Sequence, residues 1–190
     1  MSNVSFLYND FNCPFCYAMH ERLHEMSLLH RCEWRGVQHA PHLSKPMARW
    51  SGTLGAELTH EVTLVQRLAP GLAIAVPPGK PNTRWAIELA VLLLRQDIGR
   101  GMEFVRQAYR AFWCEGQDLS DPTVLNQLAM AIEGQPASTD PVSRSPAQAV
   151  TQWEEEWRAT GQSGVPLLVA PDGQQLVGLA GVNDIQRFLT

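Results

Sequence analysis

The sequence predicts an α/β domain: a β-α-β unit at the start, a β-β-α unit at the end and a block of helices between them. Three observations carry this. Short strand-forming runs stand near both ends of the chain, apolar residues recur at three- and four-residue steps through its middle, and proline- and glycine-rich breaks mark where one period gives way to the other. The outer pieces together fit one mixed sheet with helices on its faces.

The elements follow in order. Residues 4–8 alternate Val4, Phe6 and Tyr8 with Ser5 and Leu7, a short strand that Asn9-Asp10-Phe11-Asn12 breaks. From Cys13 the apolar positions Phe15, Met19, Leu23, Met26 and Leu29 have the spacing of an amphipathic helix, with Asn12 placed as its N-cap and Pro14 in its first turn. Residues 33–38 read as a second strand, which closes the β-α-β unit. Pro41, Pro46 and Trp50-Ser51-Gly52 make a loop, and residues 53–68 a helix that Pro70-Gly71 ends.

The turn-rich stretch Pro77-Pro78-Gly79-Lys80-Pro81 leads to Asn82 or Thr83 as the cap of a helix running to Gly99. A further helix spans 102–113, and Ser120-Asp121-Pro122 starts another that stops at Gly134. Residues 136–146 form a loop, and 147–159 return to helix with Val150, Trp153 and Trp157 inward. The hairpin strands are expected at 165–170 and 174–178 around Pro171-Asp172-Gly173, with a closing helix at 182–189. Of the six tryptophans, 34, 85, 113, 153 and 157 mostly fall at core positions, whereas Trp50 lies in a loop that could line a groove.

Composition excludes several classes of function. The chain has 190 residues, 45% hydrophobic, enough to bury a core without metal or disulfide staples, so its four cysteines need not be structural. Fifteen Lys and Arg against 19 Asp and Glu give a net charge of -4 with no basic run, which argues against nucleic acid and anionic membrane as partners. The chain opens Met1-Ser2-Asn3 without the basic and apolar regions of a signal peptide. The apolar stretch 89–94 ends at Arg95, far short of the roughly 18 residues that span a bilayer. A cytoplasmic location is therefore expected, and there a close cysteine pair points to redox or metal chemistry more than to a permanent crosslink.

Cys13-Pro14-Phe15-Cys16 is the sharpest signal. Such a pair, placed after a strand and at a helix start, sets the first sulfur at the positive end of the helix dipole, where the thiolate is stabilised. The second sulfur is then close enough to resolve a mixed disulfide. Two alternatives remain: a zinc site with His20 as third ligand, or two inert buried thiols. Asp10, three residues before Cys13, either opposes thiolate formation or accepts the thiol's proton, or serves in the commoner role of a turn residue at a strand end. Cys32 and Cys114 have no partner at motif spacing and read as small buried residues. His24, His30, His39, His42 and His60 lack ligand spacing and read as solvated or locally bonded.

Gly164-Val165-Pro166, just before the hairpin, is the second signal, although a proline opening an edge strand accounts for it equally. With the residues 9–17 (N-D-F-N-C-P-F-C-Y), 108–119 (A-Y-R-A-F-W-C-E-G-Q-D-L) and Ser163-Gly164-Val165-Pro166, the chain resembles the DsbA-family oxidoreductases of the cytoplasmic FrnE-like branch. The resemblance implies a thioredoxin-like fold with an inserted all-helical domain: a discontinuous core at 1–39 and 163–190, and a helical insertion with its connecting helix at 40–162.

It also implies that Cys13 attacks, that Cys16 resolves, and that Pro166 is a cis-proline facing the pair. Substrate would be met by Pro14, Phe15 and the backbone of Val165. The resemblance departs at the dipeptide between the cysteines, Pro-Phe, which lacks the histidine of strongly oxidising members, so a less oxidising couple is expected.

The function so implied is thiol–disulfide exchange on protein or small-molecule disulfides. No metal and no resident cofactor are implied, glutathione is the candidate redox partner, and the sequence leaves the oligomeric state, monomer or homodimer, open. Two other classes compete. Kappa-class glutathione transferases and 2-hydroxychromene-2-carboxylate isomerases are similar in layout but are expected to carry serine at position 13 and to lack the resolving thiol. A non-catalytic adaptor is the third class.

Overall fold

The computed structural model describes residues 4–132 and 145–190. The helix stop expected at Gly134 and nearly all of the loop expected at 136–146 lie outside the described residues. The strands are β1 (Ser5–Asn9), β2 (Cys32–Gly36), β3 (Leu167–Val169) and β4 (Gln175–Val177). The helices are α1 (Pro14–Glu25), α2 (Leu54–Leu68), α3 (Arg84–Gln96), α4 (Ile98–Trp113), α5 (Pro122–Ala131), α6 (Pro146–Ala159) and α7 (Val182–Leu189). No helix among the described residues is long and apolar enough to cross a membrane.

The four strands form one mixed sheet in the order β2-β1-β3-β4. β1 runs parallel to β2, with Leu7 opposite Trp34 and Asn9 opposite Gly36, and antiparallel to β3. The two faces differ. Leu7, Trp34 and Leu168 face the larger core, which includes Met19 and Leu23 of α1, Ile87 and Val91 of α3, and Phe104 and Phe112 of α4. On the opposite side Tyr8, Val37 and Leu167 gather round Trp157 of α6. Helices thus cover both faces, as the alternation of short strands and long amphipathic runs requires. Gly36 permits the close seat of α3 on the sheet, since a Cβ there would stand 2.5 Å from the Ile87 side chain.

Several boundaries differ from the sequence reading. The helix after Asn12 is capped by Cys13 and starts at Pro14, because the Cys13 N–H closes a turn onto the Asp10 carbonyl at 3.3 Å. Asn12 is therefore not the cap, and its amide donates instead to the Pro81 carbonyl at 3.0 Å. The helix expected to reach Gly99 stops at Gln96, and the next begins at Ile98 rather than 102. Asp97 causes the break: its side chain accepts the Arg100 N–H at 2.7 Å and caps α4. β2 ends at Gly36, short of 38, and the hairpin strands are three residues each, shorter than expected. The closing helix spans the residues expected of it.

Candidate active site

Cys13 and Cys16 lie at the start of α1, which the end of β1 feeds through the turn at 10–13. Pro14 occupies the first helical turn, where its missing N–H costs nothing. Both sulfurs are free thiols and both are buried, Cys13 at 6% exposure and Cys16 at 0%. Cys13 is thus the less enclosed of the two. Phe15 between them is half-buried, and Pro14 is buried.

Val165 and Pro166 stand opposite. The bond between them is cis, and the Cys13 thiol donates to the Val165 carbonyl at 3.4 Å, so the segment preceding β3 meets the reactive end of α1. The Pro166 carbonyl is already used, accepting the Gly178 N–H at 2.8 Å. Cys16 lies behind, where the Asp10 backbone N–H approaches its sulfur at 3.5 Å.

Asp10 is the centre of a buried cluster. Fully enclosed, its carboxylate accepts the Thr83 hydroxyl at 2.6 Å, the His39 N–H at 3.0 Å and the His39 ring at Nδ1 at 2.8 Å. The expected turn aspartate is in fact a hub joining the end of β1, the chain just beyond β2 and the N-terminus of α3. Thr83 is therefore unable to cap α3 with its side chain, and Asn82 Oδ1 accepts the Arg84 N–H at 3.2 Å instead. His39, which the sequence left among the scattered histidines, belongs to this cluster. Sequence reasoning missed it, and also missed Thr83 and Lys80.

The electrostatics separate the two thiols. Burial pushes Cys13 up, yet the hydrogen bond from the Cys16 thiol, the charge of His39 and the charge of Lys80 bring it below its ordinary value. Cys16 goes well above, because burial, the hydrogen bond it gives to Cys13 and the charge that Cys13 carries when ionised all act the same way. Burial lowers His39, but the bond to Asp10 and the charges of Asp10 and Cys13 outweigh it and raise the imidazole above its ordinary value. Beneath the pair lies Tyr109, its ring 5.0 Å from that of Phe11, its hydroxyl held protonated by burial and by the charges of Cys16, Cys13 and Asp10.

The remaining candidates lie elsewhere. His20 is buried against the Tyr109 ring at 5.4 Å, and among the described residues no three His, Cys, Asp or Glu side chains gather as a metal site. The zinc reading of the cysteine pair therefore has no ligand set there. His24, His30, His42 and His60 are exposed. Cys32 and Cys114 are half-buried rather than enclosed; burial pushes Cys32 up to about 12, and the Cys114 thiol donates to the Ala73 carbonyl at 3.1 Å. Trp50 is half-buried with its indole N–H on the Pro77 carbonyl, and Trp85 is exposed under the Lys45 ammonium, which sits 3.9 Å from the ring. Trp85 is thus not a core residue.

A family model, the DSBA-like thioredoxin domain, matches residues 6–190. A search of curated proteins finds no match. Among solved structures, a candidate protein disulfide isomerase from Nitrosomonas europaea is 18% identical, with a TM-score of 0.76 and coverage of 100% of this chain and 96% of its own. The cytosolic disulfide reductase DsbM from Pseudomonas aeruginosa, solved with GSH, is 16% identical with a TM-score of 0.63, covering 98% and 92%. A 2-hydroxychromene-2-carboxylate isomerase is 14% identical with a TM-score of 0.65, covering 97% and 93%. At these identities the likeness is one of fold, and it joins exchange enzymes to an isomerase.

Proposed function

The chain belongs to the DSBA-like thioredoxin domain family, and on that premise we propose that its Cys13–Cys16 pair reduces or exchanges disulfides. Members of the family are thiol–disulfide oxidoreductases that act on disulfide substrates. The observation that carries the reading for this chain is the placement of Cys13: the less enclosed sulfur, at a helix start, on the Val165 carbonyl, with the Cys16 thiol behind it.

The Cys13 thiolate attacks one sulfur of a substrate disulfide, the substrate S–S bond breaks, and the departing thiolate takes a proton. Cys16, on losing its own proton, attacks the Cys13 sulfur; the Cys13–substrate bond breaks and the second substrate thiol leaves. Two electrons have passed to the substrate and a Cys13–Cys16 disulfide remains. Two molecules of glutathione, oxidised to their disulfide, would restore the dithiol. In a glutathione-buffered cytoplasm, the setting expected from the sequence, the pair would turn over in this direction.

Substrate contact follows from the same geometry. When Cys13 ionises it no longer donates to Val165, and that carbonyl becomes able to accept an N–H from an extended substrate. Pro166 presents no N–H beside the sulfur, and half-buried Phe15 supplies apolar surface; Pro14, expected to meet substrate, is buried in the first turn of α1 and sets that turn instead. Catalytic roles are assigned to Cys13, Cys16 and Pro166, and contact with substrate to Phe15 and Val165.

The competing glutathione-dependent isomerisation needs one activated group at position 13 and no second sulfur. Wild type and Cys16→Ser are therefore assayed for glutathione-coupled reduction of a protein disulfide and for isomerisation of a glutathione-dependent aromatic substrate. The expected result is multiple turnover of the disulfide by wild type alone, with mixed disulfides accumulating on Cys16→Ser and none on Cys13→Ser. Isomerase turnover unchanged in Cys16→Ser, with negligible disulfide reduction by wild type, would overturn the reading.

A further inference from the structure

We propose that His39, locked to the buried carboxylate of Asp10, supplies the positive charge that steadies the Cys13 thiolate, in place of the histidine the Pro-Phe dipeptide lacks. The proposal rests on the reading of Cys13 as the attacking thiol and makes His39 a positioning residue for it, with Asp10 and Thr83 as its supports.

A carboxylate with no exposure, like that of Asp10, keeps its charge only when its oxygens are bonded and a counter-charge is near. Oδ1 has the Thr83 hydroxyl, and Oδ2 has both the His39 N–H and the ring at Nδ1, 2.8 Å away. With the Nδ1 proton directed to Asp10, the ring is fixed in orientation, and its second nitrogen carries a proton when the imidazole is cationic. The same Asp10 holds the thiol end: its carbonyl accepts the Cys13 N–H at 3.3 Å and its own N–H reaches toward the Cys16 sulfur at 3.5 Å. One residue therefore fixes the distance between imidazole and thiol pair by main chain on one side and side chain on the other.

The charged and titratable groups around this centre come from every element packed on it. They are Asp10 from the end of β1, Cys13 and Cys16 from α1, Tyr109 from α4, and Lys80 from the segment before α3. Lys80 also favours the thiolate, but it lies 4.0 Å from Glu61, which shares its charge. At Cys16 the two parts of Asp10 oppose each other, its backbone N–H favouring the thiolate and its carboxylate charge disfavouring it, while the His39 ring bonded to that carboxylate places a positive charge near Cys13. His39 and Cys13 act on each other, so each is easier to ionise while the other is charged.

His39 keeps 24% of its side chain exposed, so replacing it removes the charge without emptying a core site. The reduced protein is treated with iodoacetamide across pH 4–9, and modification of Cys13 is followed by mass spectrometry in wild type, His39→Gln and His39→Lys. His39→Gln should raise the midpoint of Cys13 reactivity by about one pH unit, so that alkylation near pH 6 slows about tenfold; His39→Lys should recover most of the loss. Because the thiolate belongs to the reduced form, His39→Gln should also move the equilibrium with glutathione about tenfold toward the disulfide, which is about 30 mV for a two-electron couple.

A midpoint unchanged in His39→Gln, or a shift as large in His39→Lys, overturns the assignment. A variant-free measurement serves the same end: by NMR, the titration midpoint of His39 should fall when Cys13 is blocked as its neutral thioether, and an unchanged midpoint again overturns it. A wild type that lacks disulfide turnover but shows these shifts removes the exchange reading while supporting this one.

Discussion

Glu21 lies on α1 two turns below the thiols and binds Arg106 of α4 through both carboxylate oxygens, at 2.9 and 3.0 Å. Burial alone would raise its carboxyl, but contact with His20 and the Arg106 guanidinium hold it down at about 2. The folded value lies below the ordinary one near 4.5, so this contribution to stability is complete above about pH 4.5 and is lost as pH falls toward 2. It amounts to roughly 2–3 kcal/mol, at the lower end because Arg106 is partly in solvent. Urea midpoints measured from pH 6 to 2.5 should fall steeply for wild type and less for Glu21→Gln, whose amide has no proton to gain. At this scale Cys13, Cys16 and Pro166 were legible because their spacing and order along the chain are themselves the signal. His39 was not, since its partner Asp10 stands 29 residues away and no local spacing links them. The available clue was the expected β-α-β unit: two parallel strands end at the same edge of a sheet, so the residues that follow each of them become neighbours.

The boundary between α3 and α4 illustrates what element-level reading misses. Gly99 reads from the sequence as a stop, yet Asp97 breaks the helix earlier and caps the next one, leaving Gly99 and Gly101 inside α4. An aspartate that receives an amide hydrogen three residues on is a stronger terminus signal than a glycine, and here both occur within three residues. Gly101 has its own reason to be small. A Cβ there would stand 2.5 Å from the backbone N and Cα of Leu94, so α4 could not approach α3 so closely. Gly101→Ala should destabilise the fold by about 1–3 kcal/mol despite alanine's better helix propensity, and equilibrium urea unfolding would register it. Stability equal to or above wild type would mean that the two helices separate at little cost. The strand ends were legible only to within a few residues, because ladder pairing, and not composition, decides where a strand stops.

The molecule as a whole follows the order of elements read from the sequence, strands at both ends and helices between, yet the helical block is not an appendage. Trp157 of α6 packs on Tyr8, Val37 and Leu167 of the sheet, and Ile87 of α3 closes over Gly36 on its other face. The link that reaches the thiol centre is Thr83, the residue before α3, whose hydroxyl holds the Asp10 carboxylate. Thr83→Val keeps the shape and removes that donor. It should cost about 1–3 kcal/mol, because an oxygen of a buried carboxylate loses its partner, and it should shift the pH dependence of Cys13 alkylation in the same experiment. A variant that loses stability while keeping the alkylation profile would show that Thr83 braces the fold without reaching the thiol. The bond from Thr83 to Asp10 also bears on how such a protein can diverge or be rebuilt. A helical segment borrowed from a relative would bring its own residue to position 83, so transplants that retain a hydroxyl there should preserve thiol reactivity, whereas hydroxyl-free donors would need a matching change at position 10; inheritance of the two positions is tied, although 73 residues of chain separate them.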